Sequence, residues 1–308
     1  MKKYKVYIYG AGDEYNKFTS YLPFFLNSIE ILGIVTTNRQ PFTYMDGFPC
    51  LTVEEIEKDK IDYVIIAIYD WKEVVANLNK KGIEDRQIIR SSVFSFPWFD
   101  LNEYIKLKNA NVTILSNYCL GGILYKELGL KVLSPTIDMF CAGKDYLKFL
   151  ENYQVYLNIE MQEYYSEEYI DGTLGYEAFL PKGSLKDVIW KFNHETYSEN
   201  AIVRWNEKRK RVNFNNIAAL MIIQSDQDAY AFEEIGIEKK LGIYYKDLGL
   251  KDIVYISDWE NAEIRRIHNW NWPAMANIYM TNFQGHASCV DWIKFLNGRK
   301  DYRRFERE

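Results

Sequence analysis

Lys5-Val-Tyr-Ile-Tyr-Gly10-Ala-Gly12-Asp-Glu-Tyr15-Asn-Lys17 is an apolar run that breaks into a glycine turn and continues in a helical pattern. The order strand, glycine turn, helix begins a Rossmann-type unit, in which backbone amides approach a phosphate at the helix N-terminus. The fingerprint is incomplete, because Tyr15 stands where a third glycine would allow close packing of helix and strand. Asp13 and Glu14 also place two carboxylates where a pyrophosphate would lie. The stretch therefore predicts a fold class more firmly than a ligand.

Strand and helix patterns alternate along both halves of the chain. Runs such as Tyr63-Val-Ile-Ile-Ala-Ile68 are apolar without alternation, which is typical of strands buried on both faces of a parallel sheet. We predict a two-domain α/β protein. Residues 1–92 form a Rossmann-like doubly wound parallel sheet, 93–110 a linker or docking segment, and 111–308 a three-layer α/β domain with a mixed sheet.

The same patterns predict individual elements. The expected strands are Val6–Tyr9, Glu30–Val35, Tyr63–Ile68, Gln87–Ile89, Val112–Leu115, Lys131–Leu133, Ala218–Ile223 and Ile253–Ile256. The expected helices are Asp13–Asn27, Val53–Lys58, Lys72–Lys81, Gly121–Leu128, Lys144–Leu157, Ser198–Arg211, Ala229–Leu241 and Cys289–Leu296. A hairpin is expected where Tyr176–Leu180 and Asp187–Phe192 flank the turn residues 181–184.

Composition limits the functional classes. The 308 residues are 48% hydrophobic and 26% charged, as in folded globular domains. A net charge of −5 disfavours a nucleic-acid partner, since phosphate neutralisation needs a basic surface. The sequence has no window of about 20 apolar residues, so we expect no membrane span and a cytoplasmic location. Four scattered cysteines indicate reduced thiols, and a homo-oligomer is compatible with these properties.

The glycine turn is the first candidate site. Gly10 and Gly12 could cradle a phosphate, and Arg39, near the end of the second predicted strand, could contact one. Thr37 and Asn38 occupy the place where an acid would bind a ribose, so NAD is disfavoured. The alternative is that the glycines only form a tight turn.

The turn after the strand Val112–Leu115 is the second candidate. Ligands of open α/β sheets lie beyond the carboxyl ends of the strands, so Ser116, Asn117, Gly121 and Gly122 could bind an anion. Cys119 could be a nucleophile, although no partner is close in sequence, and a packing or capping role is the alternative.

Two further polar segments follow in the second half. His194 could be a general base, and Arg204, Lys208 and Arg211 share one helix face that could bind a polyanion, or could be merely solvated. Asp226 could act in catalysis, and with Asp228 it could hold a divalent metal carrying a diphosphate. Alternatively, Asp228 caps the helix that follows.

The first domain resembles the N-terminal domains of bacterial sugar acyltransferases. The resemblance lies in Val6-Tyr-Ile-Tyr-Gly-Ala-Gly12, Ile31-Leu-Gly-Ile-Val35, Gly47-Phe-Pro-Cys-Leu51 and Tyr63-Val-Ile-Ile-Ala67. In those enzymes this domain holds a nucleotide-linked sugar, and a hexapeptide-repeat helix transfers the acyl group. No hexapeptide repeat follows here, so the resemblance implies a nucleotide-sugar pocket without implying acyl transfer.

From residue 111 the chain resembles a bacterial family of unknown function, numbered nineteen-nineteen. The matching residues are Asn111-Val-Thr-Ile-Leu-Ser-Asn117, Leu133-Ser-Pro-Thr136, His194 with Glu199, and Lys208-Arg-Lys-Arg-Val-Asn213. Members are often labelled as exopolysaccharide or capsule biosynthesis proteins. The turn Ser225-Asp-Gln-Asp228 departs from the family's usual Asp-Arg-Asp-Gly. The resemblance implies a pathway and assigns no catalytic residue.

Together, these observations predict a bacterial protein that binds a nucleotide-activated or phosphorylated sugar in surface-polysaccharide synthesis. If it is an enzyme, group transfer is the expected reaction; the sequence leaves the cofactor open, with a divalent metal as one candidate and NAD disfavoured. The competing hypothesis is a non-catalytic binding or scaffold protein with a degenerate Rossmann domain.

Overall fold

The chain divides into two α/β units, each of which is described by itself. The computed structural model describes residues 3–96, 99–165, 181–192, 194–195, 197–244, 246–255 and 290–303. The N-terminal unit comprises Met1–Asn109 and Glu127–Gly129, and the C-terminal unit comprises Ala110–Lys126 and Leu130–Glu308. The predicted two-domain α/β class is confirmed.

The N-terminal unit is built on a six-stranded sheet in the order β3-β4-β2-β1-β5-β6. All neighbouring strands are parallel except the edge pair β3 and β4. Chain order reverses at β1, so β1 and β5 flank the switch point of a doubly wound sheet. The strands are β1 Tyr4–Tyr9, β2 Ile29–Thr36, β3 Tyr44–Met45, β4 Phe48–Thr52, β5 Tyr63–Ile66 and β6 Ile88–Arg90; the helices are α1 Asp13–Thr19, α2 Lys72–Lys80 and α3 Leu101–Asn109.

Two helical segments of this unit are shorter than predicted. Helix α1 ends at Thr19, and the chain continues in a 3-10 turn, Leu22–Phe24, that contains Pro23. Proline lacks an amide hydrogen and disfavours a helical residue before it, so the predicted helix to Asn27 cannot continue. The expected helix Val53–Lys58 is likewise replaced by two 3-10 turns.

Residues 93–110 contain α3, which belongs to the N-terminal unit. The Asp100 carboxylate accepts hydrogen bonds from the amides of Asn102 and Glu103 at the helix start. Tyr104 is fully buried, and its hydroxyl donates to the carbonyl of Leu128 at 2.8 Å. Burial of an aromatic ring with a satisfied hydroxyl anchors α3 within this unit.

The C-terminal unit contains two sheets. Four parallel strands have the order β14-β13-β12-β7, and four antiparallel strands the order β8-β11-β10-β9. The predicted mixed sheet is thus resolved, among the described strands, into one parallel and one antiparallel sheet. The elements are β7 Thr113–Ser116, α4 Leu120–Glu127, β8 Phe140–Cys141, α5 Gly143–Glu151, α6 Tyr153–Asn158, β9 Gln162–Tyr164, β10 Lys182–Leu185, β11 Val188–Lys191, α7 Ser198–Lys208, β12 Ile217–Ile222, α8 Asp226–Glu233, β13 Lys239–Tyr244, β14 Ile253–Tyr255 and α9 Trp292–Leu296.

An aromatic cluster forms part of the core of this unit. The ring centroids of Trp190 on β11 and Trp205 on α7 are 5.5 Å apart, and the Phe149 ring of α5 lies 5.3 Å from Trp190. All three side chains are fully buried. Because these rings fix α7 against β11, the opposite face of α7 is held at a defined place in the unit.

Several predicted elements of this unit are wrong. The expected helix Ala229–Leu241 combines the end of α8 with the start of β13, whose apolar residues form a buried central strand. Lys131–Leu133 forms no strand, and Lys144–Leu157 is interrupted at Asn152, where φ is −130°. The hairpin turn lies between Leu185 and Val188, and Tyr176–Leu180 is outside the described residues.

The other predicted segments need smaller adjustments. Helix α7 ends at Lys208 and continues as a 3-10 turn to Arg211, and the last helix begins at Trp292. Within the described part of the chain, none of the helices has the length and apolar character needed to cross a bilayer.

Candidate functional site

The loop that follows β7 is fixed by two buried polar side chains. The Asn117 amide nitrogen donates to the Ile222 carbonyl at 3.1 Å, and its oxygen accepts from the Ile222 amide at 2.9 Å. The Ser116 hydroxyl accepts from the Tyr118 amide at 3.3 Å. Ser116 and Asn117 were predicted to bind a ligand, and in the structure these contacts position the start of the β7–α4 loop.

Cys119 lies at the start of α4, where its carbonyl accepts the Ile123 amide at 3.1 Å. Its sulfur is 3.5 Å from Nε2 of His194, a residue that follows β11 and is 75 positions away in sequence. The sequence predicted Cys119 in the turn before a helix at Gly121, one residue later than the start of α4, and did not reveal its histidine partner. A thiol beside an imidazole is an arrangement that can transfer a proton during nucleophilic attack.

Asp138 is a further residue at this place that the sequence analysis missed. It has a φ of 62°, and its carboxylate acts electrostatically on both Cys119 and Lys208. Burial, followed by Asp138, raises the pKa of the Cys119 thiol to about 11. The thiol is therefore protonated at neutral pH, and it needs a base before it can attack.

The two glycines of α4 are required for close packing. A Cβ atom on Gly121 would lie 3.1 Å from Cβ of Ser116, and one on Gly122 would lie 2.9 Å from Cγ2 of Ile137. These contacts explain why small residues occur at the first turn of α4. Their backbone amides belong to the first turn of the helix, where amides have no acceptor within the helix. The anion-binding role predicted for the two glycines rests on these amides and stays a prediction.

The basic face of α7 lies beside the same residues. Arg204 forms an ion pair with Glu195, directly after His194. Burial lowers the pKa of Lys208; Asp138 opposes that shift, and Arg204 and Arg211 add to it. Three cations therefore share one region, in which Glu195 pairs with Arg204 and Asp138 acts on Lys208. We call the set the thiol-imidazole site; it consists of Cys119, Asp138, His194, Arg204, Lys208 and Arg211.

Asp226 and Asp228 have different surroundings. Asp226 accepts from Lys246 at 2.8 and 2.9 Å and from the Tyr244 hydroxyl at 2.6 Å. Lys246, followed by Tyr244, lowers the pKa of its carboxyl group. Asp228 is buried, and its Oδ2 would lie 2.6 Å from a Cβ on Gly143, at the start of α5.

The cap of α8 is Ser225, three residues before the predicted Asp228. Ser225 is the N-cap of α8, and its hydroxyl accepts from the Asp228 amide at 3.1 Å. In the described part of the chain, no three histidine, cysteine or acidic side chains are grouped as metal ligands. The proposed metal role of Asp226 and Asp228 remains a prediction.

Only one glycine of the turn in the N-terminal unit is closely packed, and the phosphate-binding role of Gly10 and Gly12 stays a prediction. Gly10 has a φ of +123°, and a Cβ there would lie 2.3 Å from the carbonyl oxygen of Ala67. Gly12 is the N-cap of α1 and has open space where its Cβ would be. Tyr15 is buried, and its hydroxyl donates to Asp46 at 2.8 Å.

Arg39, the other predicted phosphate contact in this unit, is engaged with an acid. Its guanidinium donates to the Glu55 carboxylate at 2.8 Å. Glu55 also accepts from the amide of Thr52, which, with Arg39, lowers the pKa of its carboxyl group. Arg39 therefore supports the start of a 3-10 turn.

Comparison with known proteins identifies the family. The family described as Domain of unknown function (DUF1919) matches residues 91–297, about two thirds of the chain. The chain belongs to the DUF1919 family. Every residue of the thiol-imidazole site lies within the DUF1919 match.

Two further similarities cover other parts of the chain. Residues 2–89 match a domain described as C2185-like, N-terminal, so the acyltransferase resemblance of this part stays a prediction. A Haemophilus influenzae protein named only as uncharacterized is 23% identical over 221 residues. The match covers 68% of this chain and 97% of that relative.

Proposed function

We propose that the C-terminal unit binds a phosphorylated or nucleotide-activated sugar, with the phosphate at the thiol-imidazole site. The observation that carries this proposal is the state of Lys208. Its ammonium is half-buried, its pKa is lowered, and Arg204 and Arg211 add positive charge around it. The Lys208 side chain makes no hydrogen bond or ion pair with any other residue in the described ranges. A bound phosphate would supply the missing negative charge and hydrogen-bond acceptors.

The position in the fold agrees with such a ligand. Cys119 and the first turn of α4 lie beyond the carboxyl end of β7, where ligands of open parallel sheets bind. The sugar in the proposal and its place in exopolysaccharide or capsule synthesis come from the family resemblance of the sequence. Group transfer from that sugar is the reaction class we propose.

Thermal unfolding tests this proposal. Glucose 1-phosphate, UDP-glucose and inorganic phosphate should each be titrated against the wild type, Lys208→Gln and the control Lys210→Gln, which changes an exposed lysine in the next turn. Ligand at ~100 times its dissociation constant should stabilise the wild type and the control by roughly 2.7 kcal/mol. Lys208→Gln should lose most of that effect. The absence of any shift with all three ligands would rule the proposal out.

A second arm addresses the metal. The same titration with and without Mg²⁺, on the wild type and Asp226→Asn, asks whether a diphosphate ligand binds with a cation. A metal-dependent response that is lost in Asp226→Asn would support a metal-assisted transferase. An equal response in both proteins would rule out a metal-binding role for Asp226. Its contacts to Lys246 and Tyr244 would then be structural.

The N-terminal unit better fits the competing hypothesis of a scaffold with a degenerate Rossmann domain. Gly10 and Arg39 both have structural contacts that account for them. Asp13 and Glu14 occupy the first turn of α1, where they complement the helix dipole. Calorimetric titration of UDP-glucose into Gly12→Ala and the wild type tests this assignment, because equal affinities are expected if the turn does not hold the nucleotide.

A further inference from the structure

The contact between Cys119 and His194 has a chemistry of its own. Of the cysteines in the described ranges, Cys50 and Cys141 are buried, whereas Cys119 is partly accessible. Its sulfur lies within reach of a ring nitrogen at 3.5 Å. The next residue, Glu195, forms an ion pair with Arg204 on α7. A partly accessible thiol beside an imidazole has the arrangement of a nucleophile with its base.

The charges around this pair indicate the group that it would attack. Asp138 acts electrostatically on Lys208 at the end of α7 and also on Cys119, and Arg211 in the following 3-10 turn acts on Lys208. A tetrahedral phosphate could accept hydrogen bonds from these cations, which would draw negative charge from its non-bridging oxygens. Such polarisation makes phosphorus a better electrophile for the adjacent sulfur.

We propose that Cys119 is a nucleophile that accepts the phosphoryl group of a sugar phosphate monoester, with His194 as the proton carrier. This inference rests on the ligand class of the proposed function. In the first step the sulfur–phosphorus bond forms and the phosphorus–oxygen bond to the sugar breaks. The thiol proton passes to His194 and then to the departing sugar oxygen. In the second step the oxygen of water, or of an acceptor hydroxyl, forms a new bond to phosphorus and the sulfur–phosphorus bond breaks. The proton of that oxygen passes through His194 to the departing sulfur, which restores the thiol and releases phosphate or the phosphorylated acceptor.

The resting state of the thiol agrees with this order of events. The raised pKa keeps Cys119 uncharged, so an incoming phosphate meets no thiolate to repel it. Proton transfer to His194 then accompanies bond formation. Removal of the imidazole should therefore slow phosphoryl transfer by roughly 10²- to 10⁴-fold, the usual contribution of a positioned base.

The experiment uses p-nitrophenyl phosphate with the full chain. Wild-type protein should release a burst of p-nitrophenolate equal to the enzyme concentration. After denaturation without acid, mass spectrometry of the peptides should find one phosphoryl group, on Cys119. Cys119→Ser and Cys119→Ala should give no cysteine adduct, and His194→Gln should form it at the reduced rate. Lys210→Gln should behave as the wild type. The absence of an adduct on the wild type, or an adduct on another cysteine, overturns the inference.

A binding measurement distinguishes the nucleophile proposed here from the sugar-phosphate ligand proposed above. Cys119→Ala should still be stabilised by glucose 1-phosphate, since the cations that would bind the phosphate are unchanged. Retained binding without any phosphorylated wild-type intermediate would overturn the nucleophile and leave the proposed ligand in place. If glucose 1-phosphate does not stabilise the wild type, both the nucleophile and the proposed ligand are overturned. Circular dichroism of each variant checks that the fold is intact.

Discussion

Asn117→Ala should destabilise the C-terminal unit, because the Asn117 side chain replaces a missing stretch of β-strand. The pairing of β7 with β12 ends at Ser116 opposite Leu220. Beyond that point, the Asn117 amide makes both hydrogen bonds to the backbone of Ile222 that a further strand residue would have made. Both residues are almost fully buried, so water cannot replace the lost partner without opening the sheet.

The expected magnitude follows from these two bonds. Each is worth about 1 kcal/mol, and a buried backbone group left without a partner costs about 1–3 kcal/mol. We expect the free energy of unfolding to fall by about 2–4 kcal/mol. Urea unfolding followed by fluorescence should show a lower midpoint with an unchanged m-value. Hydrogen exchange should become faster in the peptide that contains β12, which assigns the change to this unit.

Asn200→Ala is the matched control. Asn200 is exposed on α7, so its removal should change the free energy of unfolding by no more than about 0.5 kcal/mol. A loss below about 0.5 kcal/mol for Asn117→Ala, with unaltered exchange in β12, would refute the role assigned to the amide. Such a result would also remove the reason for regarding the β7–α4 loop as preorganised.

Three further changes test separate contacts. Gly10→Ala should cost the N-terminal unit at least about 2 kcal/mol in thermal unfolding, since its φ is +123° and the new Cβ would meet a backbone carbonyl, whereas Gly12→Ala should cost less than about 1 kcal/mol. Lys208→Met should raise the unfolding midpoint at neutral pH, because burial disfavours the charged ammonium; this gain should shrink as pH rises above the lowered pKa, and a loss of stability at neutral pH would contradict it. Asp226 has a lowered pKa beside Lys246, so its stabilising effect is present at neutral pH and is lost as pH falls through the folded-state value; urea midpoints of the wild type and Asp226→Asn should therefore converge in acid, and parallel curves would argue against the ion pair.

The sequence was sufficient for elements whose signals are local. The run before Gly10 is apolar without alternation, and it forms the central strand of the parallel sheet. The predicted end of a helix was wrong where a single residue interrupts a helical pattern. Pro23 does so after α1, which was predicted to continue to Asn27. The helix predicted over Ala229–Leu241 is wrong at β13 because a short apolar run is compatible with either a helix or a buried strand. Its burial between two neighbours in the sheet could be known only from the assembled fold.

The contact of Cys119 with His194 was not predictable for a different reason. Each residue was recognised as a candidate, and each follows a strand by three residues, but β7 and β11 belong to different sheets. Periodicity indicates which residues form a strand and gives no information on how two sheets approach each other. Asp138 had no sequence signal, since a φ of 62° at an aspartate depends on the surrounding chain.

The two units differ in whether the residues predicted to bind a ligand already have partners within the protein. In the N-terminal unit, Arg39 is paired with Glu55, and the Gly10 turn is packed against the chain after β5. In the C-terminal unit, Arg204 is paired with Glu195, whereas the side chains of Lys208 and Arg211 make no hydrogen bond or ion pair with other residues of the described ranges. A half-buried ammonium in that state costs folding free energy, and burial at the expense of stability is characteristic of groups that serve a ligand. The same argument predicts opposite effects of Lys208→Met on stability and on phosphate affinity, a combination that a purely structural lysine would not give.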